Sequence, residues 1–228
     1  MTSTQKASLK PILSVCLTFG VGVAIFAIGA LGAAPQYVLK ARYSKGETHS
    51  YAIATAIYGY LPNNRPVSME FDMKMNVLKV SGGNATIQLI SGTPKSGQGD
   101  LPARFKESTV VLNALNRPVA ASHTGQIFAM FPNHAVKVGD TWTGISTLIL
   151  SGKQGAMVET TYKLDSVHTV EGRSIAELGL TLGGLAKGKG TALVDVLDGS
   201  LLSSDTRITA GVSSGKVVPI EIVLKRVR

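Results

Sequence analysis

The chain has a single cysteine, Cys16, and it stands inside a long uncharged stretch, so the remainder forms no disulfide and holds no metal through thiolate sulfur. Its four histidines, His49, His123, His134 and His168, are scattered and fit no metal-ligand spacing such as H-E-x-x-H. They read as surface or turn residues, and neither metal nor cofactor is expected. No G-x-S-x-G elbow occurs, which removes the commonest signature of a serine hydrolase. No run of five like charges occurs either, and no nucleic-acid-binding motif accompanies the net charge of +9, so a nucleic-acid partner is not expected.

Two near-motifs dissolve on inspection. Gly183-Gly-Leu-Ala-Lys-Gly-Lys189-Gly190 approaches a phosphate-binding loop, but Gly190 stands where Ser or Thr must come directly after the lysine to hold magnesium. The next residues, Thr191 to Val196, alternate like a strand instead of opening a helix, so the stretch reads as a glycine-rich hairpin connection. Asp165, Asp195, Asp198 and Asp205 could suggest paired carboxylates. Asp198 belongs to an Asp-Gly turn, Asp165 and Asp205 fall on polar strand faces, and only Asp195, between Val194 and Val196, has an unusual setting. Structural roles are expected for all four, and the protein reads as non-enzymatic.

The positive features begin with 29 residues between Lys10 and Lys40 that carry no charge. Lys6 and Lys10, the apolar run and the small residues Ala30-Leu31-Gly32 form the parts of a signal peptide. The run from Ile12 to about Ala34 also has the ~20 apolar residues that span a bilayer as a helix. Residues 1–34 are therefore expected to be a signal peptide or a signal anchor, and residues 35–228 one extracytoplasmic domain, periplasmic or at the cell surface. Lys40, Arg42 and Lys45 beyond the run match the lysines before it, so charge bias leaves its orientation open.

Beyond the apolar run the chain reads as a β meander. From Val67 to Val77, six apolar residues occupy the odd positions and polar residues the even ones, the period of a strand with one dry face. Leu78 and Val80 break that phase, which predicts a bulge before the Gly82-Gly83 turn. Ala85, Ile87 and Leu89 resume it. Tyr37–Tyr43 and Glu47 to about Tyr60 read as a hairpin around Ser44-Lys45-Gly46. After Gly155, strands are expected around Tyr162, at Ile175–Leu182, at Thr191–Leu197, at Leu201–Ala210 and at Val217–Val227, with turns at Glu171-Gly172, Gly183-Gly184 and Asp198-Gly199. Ser91–Glu107 reads as a long loop. The fold class is all-β: about ten antiparallel strands in a curved sheet or incomplete barrel, after an N-terminal apolar helix.

The most distinctive local pattern is Phe131-Pro132-Asn-His-Ala-Val136-Lys-Val138-Gly139-Asp140-Thr-Trp142. Pro132 fixes the entry, Val136 and Val138 alternate inward, Gly139-Asp140 turns the chain, and Trp142 supplies a large anchor. This P-x-x-x-V-x-x-G-D-x-W pattern, together with Gly188 to Gly190 and Asp198 to Leu201 further on, resembles exported bacterial proteins classed as a domain of unknown function. Such domains are similar at fold level to the lipoprotein-carrier superfamily, in which a large antiparallel sheet wraps an apolar cavity. The resemblance implies a bacterial cell-envelope protein that handles acyl chains or lipid-modified partners.

Met69, Phe71, Met73 and Met75 are the candidate ligand-binding residues, because methionine adapts to irregular apolar surfaces; the same stripe also serves as plain core. The expected function is binding of a lipid or acyl chain. The alternative is a membrane-tethered scaffold that contacts another envelope protein, and a hydrolase with an unorthodox site is the least favoured reading.

Overall fold

The structure, a computed structural model, describes residues 34–59, 65–96, 99–100, 107–119, 128–148, 156–184, 186–211 and 217–227. The N-terminal apolar segment and His123 lie outside the described residues. No helix among the described residues is long and apolar enough to cross a membrane.

The described elements are all strands. In chain order they are β1 (Thr48–Ile57), β2 (Val67–Ser81), β3 (Asn84–Ser91), β4 (Lys95–Ser96), β5 (Gly99–Asp100), β6 (Glu107–Asn113), β7 (Thr141–Leu148), β8 (Ala156–Val170), β9 (Arg173–Gly184), β10 (Ala186–Asp195), β11 (Leu201–Gly211) and β12 (Val217–Val227). They form one antiparallel sheet in the order β7-β8-β9-β10-β11-β12-β1-β2. On the far edge of β2 lie β3 and β4, which carry β6 and β5 in turn. The ends of the sheet are not paired with each other, so it is not closed.

Most neighbours are sequential hairpins, as the turn signals require. The non-sequential pairs are β2 with β4, β3 with β6, and β1 with β12; the last, with Thr55 opposite Ile222, sews the first part of the sheet to the last. The bulge expected after Val77 is present: Val77 pairs with Ile87 but Lys79 with Thr86, leaving Leu78 unpaired and exposed.

Alternation puts one apolar face of nearly every long strand into a single core. Tyr51 and Ile53 of β1, Met73, Met75 and Val77 of β2, Ile87 of β3, Leu112 of β6, Trp142 of β7, Leu164 of β8, Leu178 of β9, Val194 of β10 and Leu224 of β12 all belong to it. The segment Phe128–Asp140 bonds both to Leu115, just after β6, and to Leu164 of β8, near the two ends of the sheet order, so the sheet curls around this face. Ala34–Arg228 is a compact unit by itself, and it contains every described core residue, from Leu39 to Leu224. A second cluster on the same face, toward the opposite strand ends, joins Val158, Ala186, Ile208, Ala210, Val218 and Ile220.

Gly188 and Gly190 lie within β10 and not in a hairpin connection. A Cβ on Gly188 would lie 2.2 Å from the Arg207 carbonyl oxygen, and one on Gly190 would lie 2.4 Å from that of Asp205. Only glycine permits so close an approach to β11, which is how the sheet bends tightly there.

Two other expectations change. Tyr37–Tyr43 is not a hairpin partner of β1. It is an extended strap across one end of the curled sheet, bridged at Tyr37 to Val136 and held by Ala41 N–H to the Ala114 carbonyl (2.8 Å) and Arg42 N–H to the Asp198 carbonyl (2.8 Å). Its Leu39 and Ala41 are buried while Val38, Lys40 and Arg42 are exposed, so a lid shows the same period as a strand. The stretch expected as a loop after Ser91 contains two-residue strands, β4 and β5, because the line of β3 resumes along β2 beyond Gly92.

Gly199 and Gly172 both have positive φ, +69° and +78°, but only Gly199 touches the strap, where a Cβ would lie 2.5 Å from the Lys40 carbonyl oxygen. Gly172→Ala is expected to cost about 1–2 kcal/mol from backbone strain alone. Gly199→Ala should cost about 1–3 kcal/mol more, because it also pushes the strap away. Denaturant titration of the two variants measures the difference; equal losses would remove the strap from the account of stability.

Candidate functional site

The interior of the curled sheet is the site to which the candidate ligand residues belong, and its clearest row is the β1–β2 pair. On the inward face His49 lies opposite Met75, Tyr51 opposite Met73, Ile53 opposite Phe71, Thr55 opposite Met69 and Ile57 opposite Val67. At about 3.4 Å per residue this row runs about 27 Å along the sheet. Burial falls along it. Met73 and Met75 are each 2% exposed and sit in the core, whereas Phe71, Met69, Val67, Thr55 and Ile57 are only half-buried. Leu180, Leu182 and Ile222, on the same face of other strands, are half-buried too. The four-residue stripe therefore divides: its strap end is core, and Met69 and Phe71 face a part of the interior that is less completely covered.

The segment from Phe128 to Asp140 seals the strap end. Phe128, Ala129, Met130, Phe131, Pro132 and Val136 are all buried, but Val138, expected to point inward with Val136, is 53% exposed because it already belongs to the turn with Gly139, where strand alternation has ended. Val136 pairs with the strap at Tyr37, Phe131 N–H donates to the Leu115 carbonyl, and Gly139 N–H donates to the Leu164 carbonyl of β8 at 2.7 Å. Gly139 has φ +97°, the turn expected of the Gly-Asp pair, and Asp140 Oδ2 accepts from Lys137 N–H at 2.8 Å to lock it. Trp142 donates Nε1–H to the Met130 carbonyl at 2.8 Å and stacks on Tyr162 with ring centroids 5.7 Å apart. Gly144 leaves room for the Met130 side chain, whose sulfur a Cβ would meet at 2.4 Å. The Pro132-to-Trp142 motif thus links the strap, the end of β6 and the edge of β8.

Sequence reasoning missed a polar cluster under the strap. His49, expected at the surface, is 6% exposed and points inward in phase with Tyr51 and Ile53; that phase was the available signal. Its Nε2–H donates to Glu47 Oε1 at 2.6 Å, and its buried Nδ1 has no hydrogen-bond partner among the described residues. A carboxylate-oriented imidazole is half of an acid–base relay, yet here the other ring nitrogen meets no hydroxyl from which to take a proton. Tyr43 donates to Asn116 Oδ1, and Asn116, at φ +58°, donates to the Ala129 carbonyl at 3.0 Å. Arg226, across the register from Tyr51, donates to Ser200 Oγ at 3.0 Å.

The carboxylates considered from sequence have local roles. Asp195, 1% exposed, accepts from Arg173 Nε at 2.7 Å and from Leu197 N–H at 2.8 Å, and so braces the β10–β11 turn. Asp198 accepts from Ser200 N–H within that turn. Asp165 pairs with Lys163, and Asp205 is exposed. No group of three or more His, Cys, Asp or Glu side chains that could hold a metal ion occurs among the described residues.

Burial pushes Tyr51 up from 10.0 to about 12; Arg226 lowers it, and the Asp198 and Glu47 carboxylates add to the rise. Burial, with Tyr51 and Glu47 nearby, raises Tyr43 further. An unfolded tyrosine releases its proton near pH 10 while folded Tyr51 keeps its own to about 12. The native state therefore binds more protons in that window, and stability falls as pH rises through it. Denaturant titrations from pH 9 upward should show that decline, shallower in Tyr51→Phe; an unchanged slope in the variant would contradict the burial of Tyr51.

No curated protein and no solved structure matched the chain. The model of one family of unknown function, DUF6263, matches residues 41–173, which run from the strap through β8 and include the Pro132-to-Trp142 motif. That match covers more than half of the sequence, and the chain belongs to the family of unknown function DUF6263.

Proposed function

We propose that this protein is a non-enzymatic component of the bacterial cell envelope that shelters an acyl chain or similar apolar ligand inside its curled sheet. The observation that carries this reading is the fall in burial along one inward apolar row, from Met75 and Met73 in the core to Phe71, Met69 and Val67 half-buried. Ligand sites are concave, mostly apolar and open on one side, and flexible methionine suits a variable occupant. Ala186, Gly188, Gly190 and Ala192 make the inward face of β10 from small residues, so that strand fills little of the interior. An N-terminal apolar run suited to export supports the same reading.

Organic extraction of the purified full-length protein and mass spectrometry of the extract are expected to recover acyl-chain lipid in stoichiometric amount. Met69→Glu puts a charge at a half-buried position and should cut recovery roughly tenfold or more while circular dichroism stays unchanged. Repeated isolation of lipid-free wild-type protein would reject the proposal.

A second reading, a scaffold for another envelope protein, is favoured by β7, which pairs only with β8 and leaves its other backbone edge unpaired among the described residues. An exposed edge accepts an added strand from a partner. A photo-crosslinker at the exposed Thr143 should then trap one defined envelope protein in native membranes, and a crosslinker at the exposed Lys187 of β10 should not. Identical products from both positions would discard this reading.

A further inference from the structure

The strap has two faces, and only the inner one is used by the fold. Leu39 and Ala41 enter the core, and Tyr43 packs against it. The outer row is Val38, Lys40 and Arg42, with Lys45 beyond them at the tip of the turn into β1, all exposed. Leu197 lies beside this row, because Arg42 N–H bonds to the carbonyl of Asp198, and at 70% exposure it is the most exposed large apolar side chain among the described residues. Arg117 comes just after β6, next to Ala114, which holds the strap from the other side, and is also exposed.

None of Lys40, Arg42, Lys45 and Arg117 forms a salt bridge among the described residues. The acids nearby are engaged elsewhere: Glu47 with His49 and Ser44 N–H, Asp195 with Arg173, Asp198 with Ser200 N–H, and Asp140 with Lys137 N–H. Further carboxylates toward this end among the described residues are Asp165, paired with Lys163, Glu177, which accepts from Ser166 Oγ–H, and Glu171, exposed in the β8–β9 turn. By contrast, Arg207 on the outer face of β11 is paired with Glu221.

Cations set among exposed aliphatic side chains are the chemistry of a surface that lies on anionic lipid headgroups: the charges meet phosphate and the aliphatic groups enter the interface. The chain order points the same way. In sequence, the cations of the strap come directly after an uncharged run, Pro11–Leu39, long enough to span a bilayer. We propose that the outer face of the strap, with Val38, Lys40, Arg42, Lys45 and Leu197, is a docking surface for an anionic lipid bilayer. This surface shares no side chain with the interior ligand row.

The test uses a fragment from Ala34 to Arg228, which retains the core described above and lacks the apolar run. Co-sedimentation with vesicles of mixed phosphatidylglycerol and phosphatidylcholine is expected, with none to phosphatidylcholine alone, and it should weaken steeply as salt shortens the screening length. Lys40→Glu, Arg42→Glu and Lys45→Glu together should reduce binding roughly a hundredfold, at about one order of magnitude or somewhat less per lysine or arginine. The triple Lys→Gln, Arg→Gln, Lys→Gln variant, which adds no repulsion, should lose less, and Leu197→Ser should lose severalfold. Met69→Glu should leave this binding unchanged, which separates failure here from failure of the interior site. No binding of the wild-type fragment to anionic vesicles would overturn the proposal. So would retention of binding by both triple variants, or tighter binding to duplex DNA than to the vesicles.

Discussion

Sealing one end of a curled sheet is the constraint on which this structure depends. The inward face of the strands carries Tyr51, Met73, Ile87, Leu164, Leu178 and Val194, and no helix among the described residues covers it. Two extended segments do that work at the strap end. Tyr37–Tyr43 lies across the end, and Phe128–Asp140 joins it to β6 on one side and β8 on the other. Their backbone groups find partners outside the sheet ladder, which is the condition for burying extended chain at all. The Pro132-to-Trp142 motif is concentrated at this junction because the junction must turn, pair and anchor within eleven residues.

How much of this is legible in the amino-acid sequence depends on what each pattern encodes. Val67–Val77 states its period and its dry face without ambiguity, and the phase break at Leu78 marks a real bulge. Asp198-Gly199 marks a real turn. Tyr37–Tyr43 reads as a paired strand because alternation reports only that an extended chain has one buried side; it does not say whether the neighbour is a ladder or a core. The β1–β12 pairing joins residues some 170 positions apart, and no local signal carries it. Residue type alone sends His49 to the surface, although its phase with Tyr51 and Ile53 puts it inside. Arg226 is in phase with Leu224 in the same way, and continues the inward row of β12 into the polar cluster under the strap.

That cluster is also the costliest part of the interior. A buried imidazole nitrogen without a partner is unfavourable by about 1–3 kcal/mol, and Tyr43, Glu47, Asn116 and Arg226 converge around the same end. Polar groups satisfied by each other and by carbonyls of the sealing segment fix how the strap sits more sharply than Leu39 and Ala41 could, since apolar contacts tolerate sliding. Among the described residues the network serves as a seal: His49 holds Glu47, Tyr43 holds Asn116, and Asn116 holds the Ala129 carbonyl of the sealing segment.

The two proposed surfaces lie toward opposite ends of the inward row, and this places a limit on how they would work together. The half-covered part, around Met69 and Phe71, is several residues removed along the strands from the sealed end. If the strap face lies on the bilayer, the uncovered interior points away from it, so an acyl chain cannot slide in directly from the leaflet beneath. On these proposals, delivery would come from a soluble carrier or from a second envelope protein reaching over the domain, and the edge of β7, unpaired among the described residues, would give such a protein a place to align. Taken together, the proposals would make binding of ligand and binding of a partner successive steps of one handling task, with the sealed end holding station on the membrane while exchange occurs at the other.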